Sequence, residues 1–183
     1  MKIIAIGGEP GSGKTTLVKR ILLKLKAKPE YESVKFIPYL KKDNIFILGK
    51  YQEGVIFSGT DTMSMAVQPH AIKFLEQISN KSVVIFEGDR LFNSSFLHSC
   101  VKKYFTKIIY LSTKAETRQQ RYRIRGSNQN KTWLNGRETK IKNILKDPIL
   151  SASVVKFSNN TEQEQDKAFE YIFGKIDSSL KTL

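Results

Sequence analysis

Gly8-Glu9-Pro10-Gly11-Ser12-Gly13-Lys14-Thr15 is the stretch on which the reading of this chain turns. It satisfies the spacing G-x-x-x-x-G-K-[ST] at every position. Ahead of it runs Lys2–Ile6, an apolar segment of strand length. Behind it Leu17, Val18, Ile21, Leu22 and Leu25 recur at helical spacing. A glycine-rich turn between a buried strand and a helix lets successive backbone N–H groups converge on an anion. The helix N-terminus adds its partial positive charge. Gly8, Gly11, Ser12 and Gly13 are therefore expected to wrap phosphate oxygens. In that arrangement Lys14 reaches the β- and γ-phosphates of a nucleoside triphosphate, Thr15 ligates Mg²⁺, and Thr16 stands near the α-phosphate.

Outward from this loop, short apolar runs alternate with helical patterns. That alternation predicts an α/β fold with about five parallel strands between helices. Val34–Leu40 is expected as the second strand, with Ile45–Leu48 and Gly54–Phe57 as short strands of a hairpin-like excursion. Pro69 suits the first turn of a helix carrying Ala71, Ile72, Phe74, Leu75 and Ile78. Val83–Phe86 is a buried strand, followed by a helix with Phe96, Leu97, Cys100, Val101 and Tyr104 on one face. Ile108–Leu111 and Val154–Phe157 complete the strands. Thr113 with Glu116 and Thr161 with Glu164 form capping-box patterns ahead of two further helices. Arg125–Lys146 is polar, basic and poor in apolar periodicity, so it is expected as a mobile flap within a basic lid at about 114–146.

The 183 residues suit one domain, and 40% hydrophobic residues is ordinary for a folded protein. A single cysteine, Cys100, excludes an intramolecular disulfide and fits a core position. No targeting segment and no apolar run long enough to span a bilayer stands out, which makes a cytoplasmic protein the default expectation. The charge is uneven. Residues 1–50 hold 11 Lys and Arg against 4 Asp and Glu, and residues 101–150 hold 13 against 3, within a net charge of +14. Two readings stay open: a solvated lysine-rich surface, or a polyanionic partner such as nucleic acid.

A second chemical site follows Val83–Phe86, whose apolar run ends in Glu87-Gly88-Asp89-Arg90. Ligands of open α/β sheets lie beyond the carboxyl ends of the strands. Glu87 and Asp89 are therefore expected to face the phosphates, holding Mg²⁺ or taking a proton, and Arg90 is a candidate for a substrate phosphate. In Gly59–Pro69, Asp61 is a candidate base or acceptor anchor, Ser64 a substrate contact, and Gln68 a reader of a base edge. Capping roles are the alternative. Arg118, Arg121 and Arg125 share a helix face, and Arg137 follows. Arginines on a closing segment neutralise charge on a transferring phosphoryl group, and Arg121, Arg125 and Arg137 are the first choices.

Neither a DxxG switch nor an [NT]KxD guanine reader is present, since Asn80-Lys81-Ser82-Val83 lacks the aspartate. The order of cradle, strand-end acids and arginine lid resembles the nucleoside monophosphate kinase-like superfamily of P-loop proteins. More narrowly, Phe57-Ser58-Gly59-Thr60-Asp61, Ser64–Pro69, Phe86–Phe92 and Gly136-Arg137-Glu138-Thr139-Lys140 resemble small phage-encoded kinases. That group includes the 5-hydroxymethyluracil DNA kinases. The resemblance implies an ATP- and Mg²⁺-dependent kinase acting on a hydroxymethyl group of a base in DNA. A kinase of free deoxynucleoside monophosphates is the first alternative, although no clear arginine-bearing monophosphate segment lies between the second and third core strands. A nucleotide-dependent binding or switch protein is the second.

Overall fold

The computed structural model describes residues 1–29, 36–51, 58–124, 126 and 130–180, the last three by backbone alone. Its strands are β1 (Lys2–Gly7), β2 (Lys28–Pro29), β3 (Tyr39–Lys42), β4 (Ile45–Leu48), β5 (Val83–Glu87), β6 (Phe105–Ser112) and β7 (Val154–Ser158). The helices are α1 (Lys14–Leu25), α2 (Gln68–Gln77), α3 (Ser94–Lys103), α4 (Ala115–Ile124), α5 (Lys131–Lys146), α6 (Pro148–Ser151) and α7 (Glu162–Leu180), with a 3₁₀ turn at Thr60–Thr62.

Among the described residues the sheet has the order β2-β3-β4-β5-β1-β6-β7. β4, β5, β1, β6 and β7 are parallel to one another, and β3 and β2 add an antiparallel edge. The expected five parallel strands are therefore present. Alternation along β1 explains why both faces must be covered. Ile3 and Ala5 join one apolar cluster with α2, α3, α5 and α6, while Ile4 and Ile6 join the other with α1 and α7. A strand buried on both faces is apolar throughout, as in Val83–Glu87, where only the last residue is charged.

Two expectations for this sheet need correction. Ile45–Leu48 is no excursion: it is the parallel neighbour of β5, with Ile45 opposite Val83 and all four residues buried. The strand expected over Val34–Leu40 is found at Tyr39–Lys42, running antiparallel to β4. Lys28, Pro29, Lys41 and Lys42 on this edge are residues that discourage pairing with another chain. Residues 34 and 35 and the strand expected at Gly54–Phe57 lie outside the described residues.

The expected flap is corrected too. Asn130 caps α5, its Oδ1 accepting from the Trp133 amide at 2.7 Å, and Ile141 and Ile144 are buried in the core. The buried residues of this helix, Ile141 and Ile144, lie in its C-terminal half, which anchors it, while Arg137 and Lys140 ahead of them reach Asp89. Cys100 is buried as expected, and burial pushes its thiol up to about 12. The capping box at Thr161 forms, with Glu164 N donating to Thr161 Oγ1 at 3.2 Å, whereas the Thr113 hydroxyl bonds the Ser12 and Asn159 carbonyls instead. No helix among the described residues is long and apolar enough to cross a membrane.

The parallel strands all end at one rim. There β1, β5 and β7 lead directly into Gly8, Gly88 and Asn159. This rim is the ligand crevice of an open α/β sheet.

Candidate functional site

The cradle occupies the turn from Gly8 to Gly13. Gly11 and Gly13 have φ of 76° and 87°, the left-handed region that turns successive amides to one side. A Cβ on Gly13 would also lie 2.5 Å from Asn159 Nδ2, so no larger residue fits. Lys14 Nζ folds back onto the Gly8 and Glu9 carbonyls at 2.9 and 3.1 Å. The Ser12 hydroxyl is buried without a hydrogen-bond partner among the described residues. A buried orphan hydroxyl inside a turn of inward-facing amides fits a polyphosphate, which accepts many hydrogen bonds at once.

Across from the cradle, Glu87 is 1% exposed and its Oε1 accepts from Thr15 Oγ1 at 2.9 Å. Hydroxyl and carboxylate oxygens are the donors that Mg²⁺ takes, usually one or two from the protein with the rest from water and phosphate. Gly59 closes the far side: with φ of 74°, a Cβ there would stand 2.5 Å from Glu87 Oε1. The adjoining Thr60 hydroxyl donates to the Glu87 carbonyl at 2.8 Å.

Asp61 and Asp89 meet through the backbone: Asp89 N donates to Asp61 Oδ1 at 2.6 Å. Their environments differ. Asp89 is gripped from α5, with Arg137 Nε on Oδ2 at 2.8 Å and Lys140 Nζ 3.6 Å from Oδ1. Lys140 also donates to the Asp89 carbonyl at 3.0 Å. Burial and the neighbouring Asp89 charge hold the Asp61 carboxyl above its usual range, against the pull of Lys14 and Arg90. Burial likewise lowers Lys140. The structure thus brings Arg137 to the acids, while the Asp89 side chain is engaged by lid cations rather than by Thr15 and Glu87.

The remaining expected residues have these positions. Arg121 donates to the Gly11 and Asn159 carbonyls at 3.1 and 2.9 Å, tying the cradle to the turn after β7. Arg118 bridges Glu138 on α5 at 2.8 Å and Glu9 in the cradle at 3.8 Å. Arg90 donates through Nε to the Met63 carbonyl at 3.2 Å and has no ion pair among the described residues. Gln68 is hydrogen-bonded to Ser95 Oγ at 3.0 Å, and exposed Ser64 accepts from the Ala66 amide at 3.2 Å in a local turn. Arg125 lies outside the described residues.

Three groups escaped the sequence reading. Lys140 was one lysine among many, although it stands three residues after Arg137 on the same helical side. Tyr51 follows β4 at the rim, and burial, with Glu87 and Asp61 close by, holds its phenol well above the usual range. Asn159 follows β7 at the rim, its Nδ2 donating to the Ser12 carbonyl at 2.6 Å. The rule that ligands lie beyond strand ends finds both once the parallel strands are identified.

A cleft of about 640 Å³ opens beside the cradle, lined by Gly13, Thr16, Arg20, Arg121, Asn159 and Gln165 among others. The cradle therefore has an acid-bearing crevice on one side and a polar cleft on the other.

A phosphate turn leaving the central strand of a parallel sheet, with a buried carboxylate on the strand beside it, is the arrangement of the P-loop nucleotide-binding class. Residues 4–143 match a family described as AAA domain, and the chain belongs to that family. No curated protein matches it in sequence. Among solved structures it is similar to an uncharacterized protein from Eubacterium ventriosum ATCC 27560, with 16% identity over 96% of this chain and 98% of that one and a TM-score of 0.46. It is also similar to shikimate kinase from Bacteroides thetaiotaomicron, with 13% identity, coverage of 97% and 98%, and a TM-score of 0.49. A gluconokinase from Sinorhizobium meliloti 1021 has 13% identity, coverage of 95% and 97%, and a TM-score of 0.45. Likeness at this level carries no argument about the acceptor.

Proposed function

We propose that this protein is a Mg²⁺-dependent phosphotransferase. It moves the terminal phosphoryl group of ATP onto the hydroxymethyl group of 5-hydroxymethyluracil in DNA. The observation that carries the phosphotransfer reading is the convergence of Lys14, the Thr15–Glu87 pair and the Asp61–Asp89 pair on one rim. A nucleotide-binding switch needs the cradle and the metal pair, but it has no use for a desolvated carboxylate beside them.

In this reading the nucleotide's triphosphate lies in the cradle with its base in the cleft bounded by Arg121 and Asn159. Thr15 and Glu87 would hold Mg²⁺, which would supply positive charge to the phosphates. Lys14 exchanges its two carbonyl contacts for phosphate oxygens. Asp61 takes the proton of the acceptor hydroxyl: its raised affinity for a proton suits a base, whereas a carboxylate gripped by Arg137 and Lys140 is a poor one. Asp89 orients Asp61 through its amide. Arg137 stands where charge develops as the phosphoryl group transfers. Arg90 retains guanidinium N–H groups for a phosphate of the acceptor.

The choice of DNA rests on the sequence resemblance and on the two basic blocks. A base within duplex has to be turned outward to enter such a crevice. A free deoxynucleoside monophosphate is the second reading, and Arg90 suits a phosphate from either source. The test is transfer of labelled phosphate from ATP to duplex containing 5-hydroxymethyluracil, to thymine duplex and to a panel of free monophosphates. Label on the modified duplex alone is expected. Label on a free nucleotide alone refutes the DNA acceptor, and ATP hydrolysis without any labelled product refutes phosphotransfer.

A further inference from the structure

Trp133 is the one tryptophan in the chain, and among the described residues it belongs to neither apolar cluster. It is half-buried near the start of α5, and its spacing from Arg137, Lys140, Ile141 and Ile144 puts all five along one side of the helix. The stripe enters the core at Ile141 and Ile144. It leaves the core at Lys140 and Arg137, the two cations on Asp89. Trp133 therefore continues the stripe past the acids, on the stretch of helix that borders the crevice. The Arg137 guanidinium carbon lies 4.9 Å from the centre of its ring. An aromatic ring outside the core adds little to core packing. One paired with a cation already bound at the acceptor side offers a flat surface beside the reacting groups.

We propose that Trp133 is the stacking surface for the base of the acceptor, which makes the acceptor a nucleobase-bearing molecule rather than a sugar or a sugar acid. This inference rests on the phosphotransfer reading and names the substrate class for it. Bases splayed out of a helix are held by stacking on aromatic rings and on guanidinium planes, and Trp133 with Arg137 supplies both. The cation over the ring also restricts Arg137, so the group that meets developing charge is oriented by the surface that receives the base.

The full chain, with ADP and Mg²⁺ present, is titrated with 5-hydroxymethyl-2′-deoxyuridine 5′-monophosphate and with 2-deoxyribose 5-phosphate. The emission of Trp133 is the readout. Saturable quenching by the first and none by the second is expected; equal responses overturn the inference. In transfer assays Trp133→Ala is expected to raise the acceptor KM about tenfold or more, as loss of a stacked base does. The ATP KM stays unchanged, and Trp133→Phe recovers most of the loss. An unchanged acceptor KM, or equal increases in both KM values, overturns the proposal. If Trp133→Ala does not fold, the phenylalanine variant and the titration of the unaltered protein still decide. Base-specific quenching with no transfer to any base-bearing acceptor would refute phosphotransfer and leave the stacking surface standing.

Discussion

Gly59→Ala tests the site through a residue that carries no chemistry. Its added methyl would stand 2.5 Å from Glu87 Oε1, and Gly59 has φ of 74°. Non-bonded heavy atoms sit comfortably at roughly 3.5 Å, so the methyl or the carboxylate must move by about 1 Å. Glu87 is 1% exposed and hydrogen-bonded to Thr15, so it has no open space in which to swing. Two effects should therefore separate. With ψ of −146° as well, Gly59 lies in a region essentially reserved for glycine, and alanine there costs about 1–3 kcal/mol, or about 2–12 °C in Tm for a chain of this size. Displacing the carboxylate by about 1 Å is expected to lower turnover about 100-fold, with a higher Mg²⁺ requirement. Gly126→Ala also puts alanine at a positive φ, 60°, with no atom of the described residues within 4 Å of its Cβ, so its Tm shift measures a positive φ without a clash. The assays are thermal melts of both variants and phosphate transfer by Gly59→Ala over a Mg²⁺ series. If a folded Gly59→Ala protein keeps normal turnover and normal Mg²⁺ dependence, Glu87 does not hold the metal.

Lys14→Ala should abolish transfer with little change in Tm, because its Nζ contacts only loop carbonyls; normal turnover in the folded variant would remove the cradle from the mechanism. Asp61→Asn should lower kcat far more than it changes the ATP KM, and Asp89→Asn should do so less severely. The reverse order in a kinetic comparison would exchange the roles of base and orienting group. The Asp61 carboxyl is raised above its ordinary 3.8 by burial and by Asp89, so the folded protein binds more protons than the unfolded chain between the two values. Its contribution to stability therefore falls as pH rises through that window, and Asp61→Asn should flatten the decline. An unchanged slope of denaturation midpoint against pH would contradict this. Burial pushes the Cys100 thiol up to about 12, so a thiol-reactive probe at neutral pH should label the protein only after denaturant is added.

What the sequence made legible and what it hid divide along a physical line. The cradle depends on backbone geometry within eight consecutive residues, and glycine and lysine at fixed positions are visible without the fold. The buried run Val83–Glu87 is legible for a related reason, since a strand covered on both faces must be apolar along its length. Ile45–Leu48 has the same apolar character, yet four such residues after Asp43-Asn44 suit a hairpin strand equally well. Only its pairing with Val83–Ile85 makes it central. The grip on Asp89 was hidden more deeply. Lys140 lies 51 residues from it in sequence, and nothing in the spacing of a basic helix says which cation turns inward. Gln68 is a like case: its unusual loop suggests base recognition, and only the fold shows its amide donating to Ser95. Asp61 and Asp89 look alike as residues beside glycines, and only the cations on one and the burial of the other give them different chemistry. The decisive distinction in this site is therefore tertiary, and it turns on α5, where the largely polar first half that obscured the helix in the sequence is also the half that brings Arg137 to Asp89.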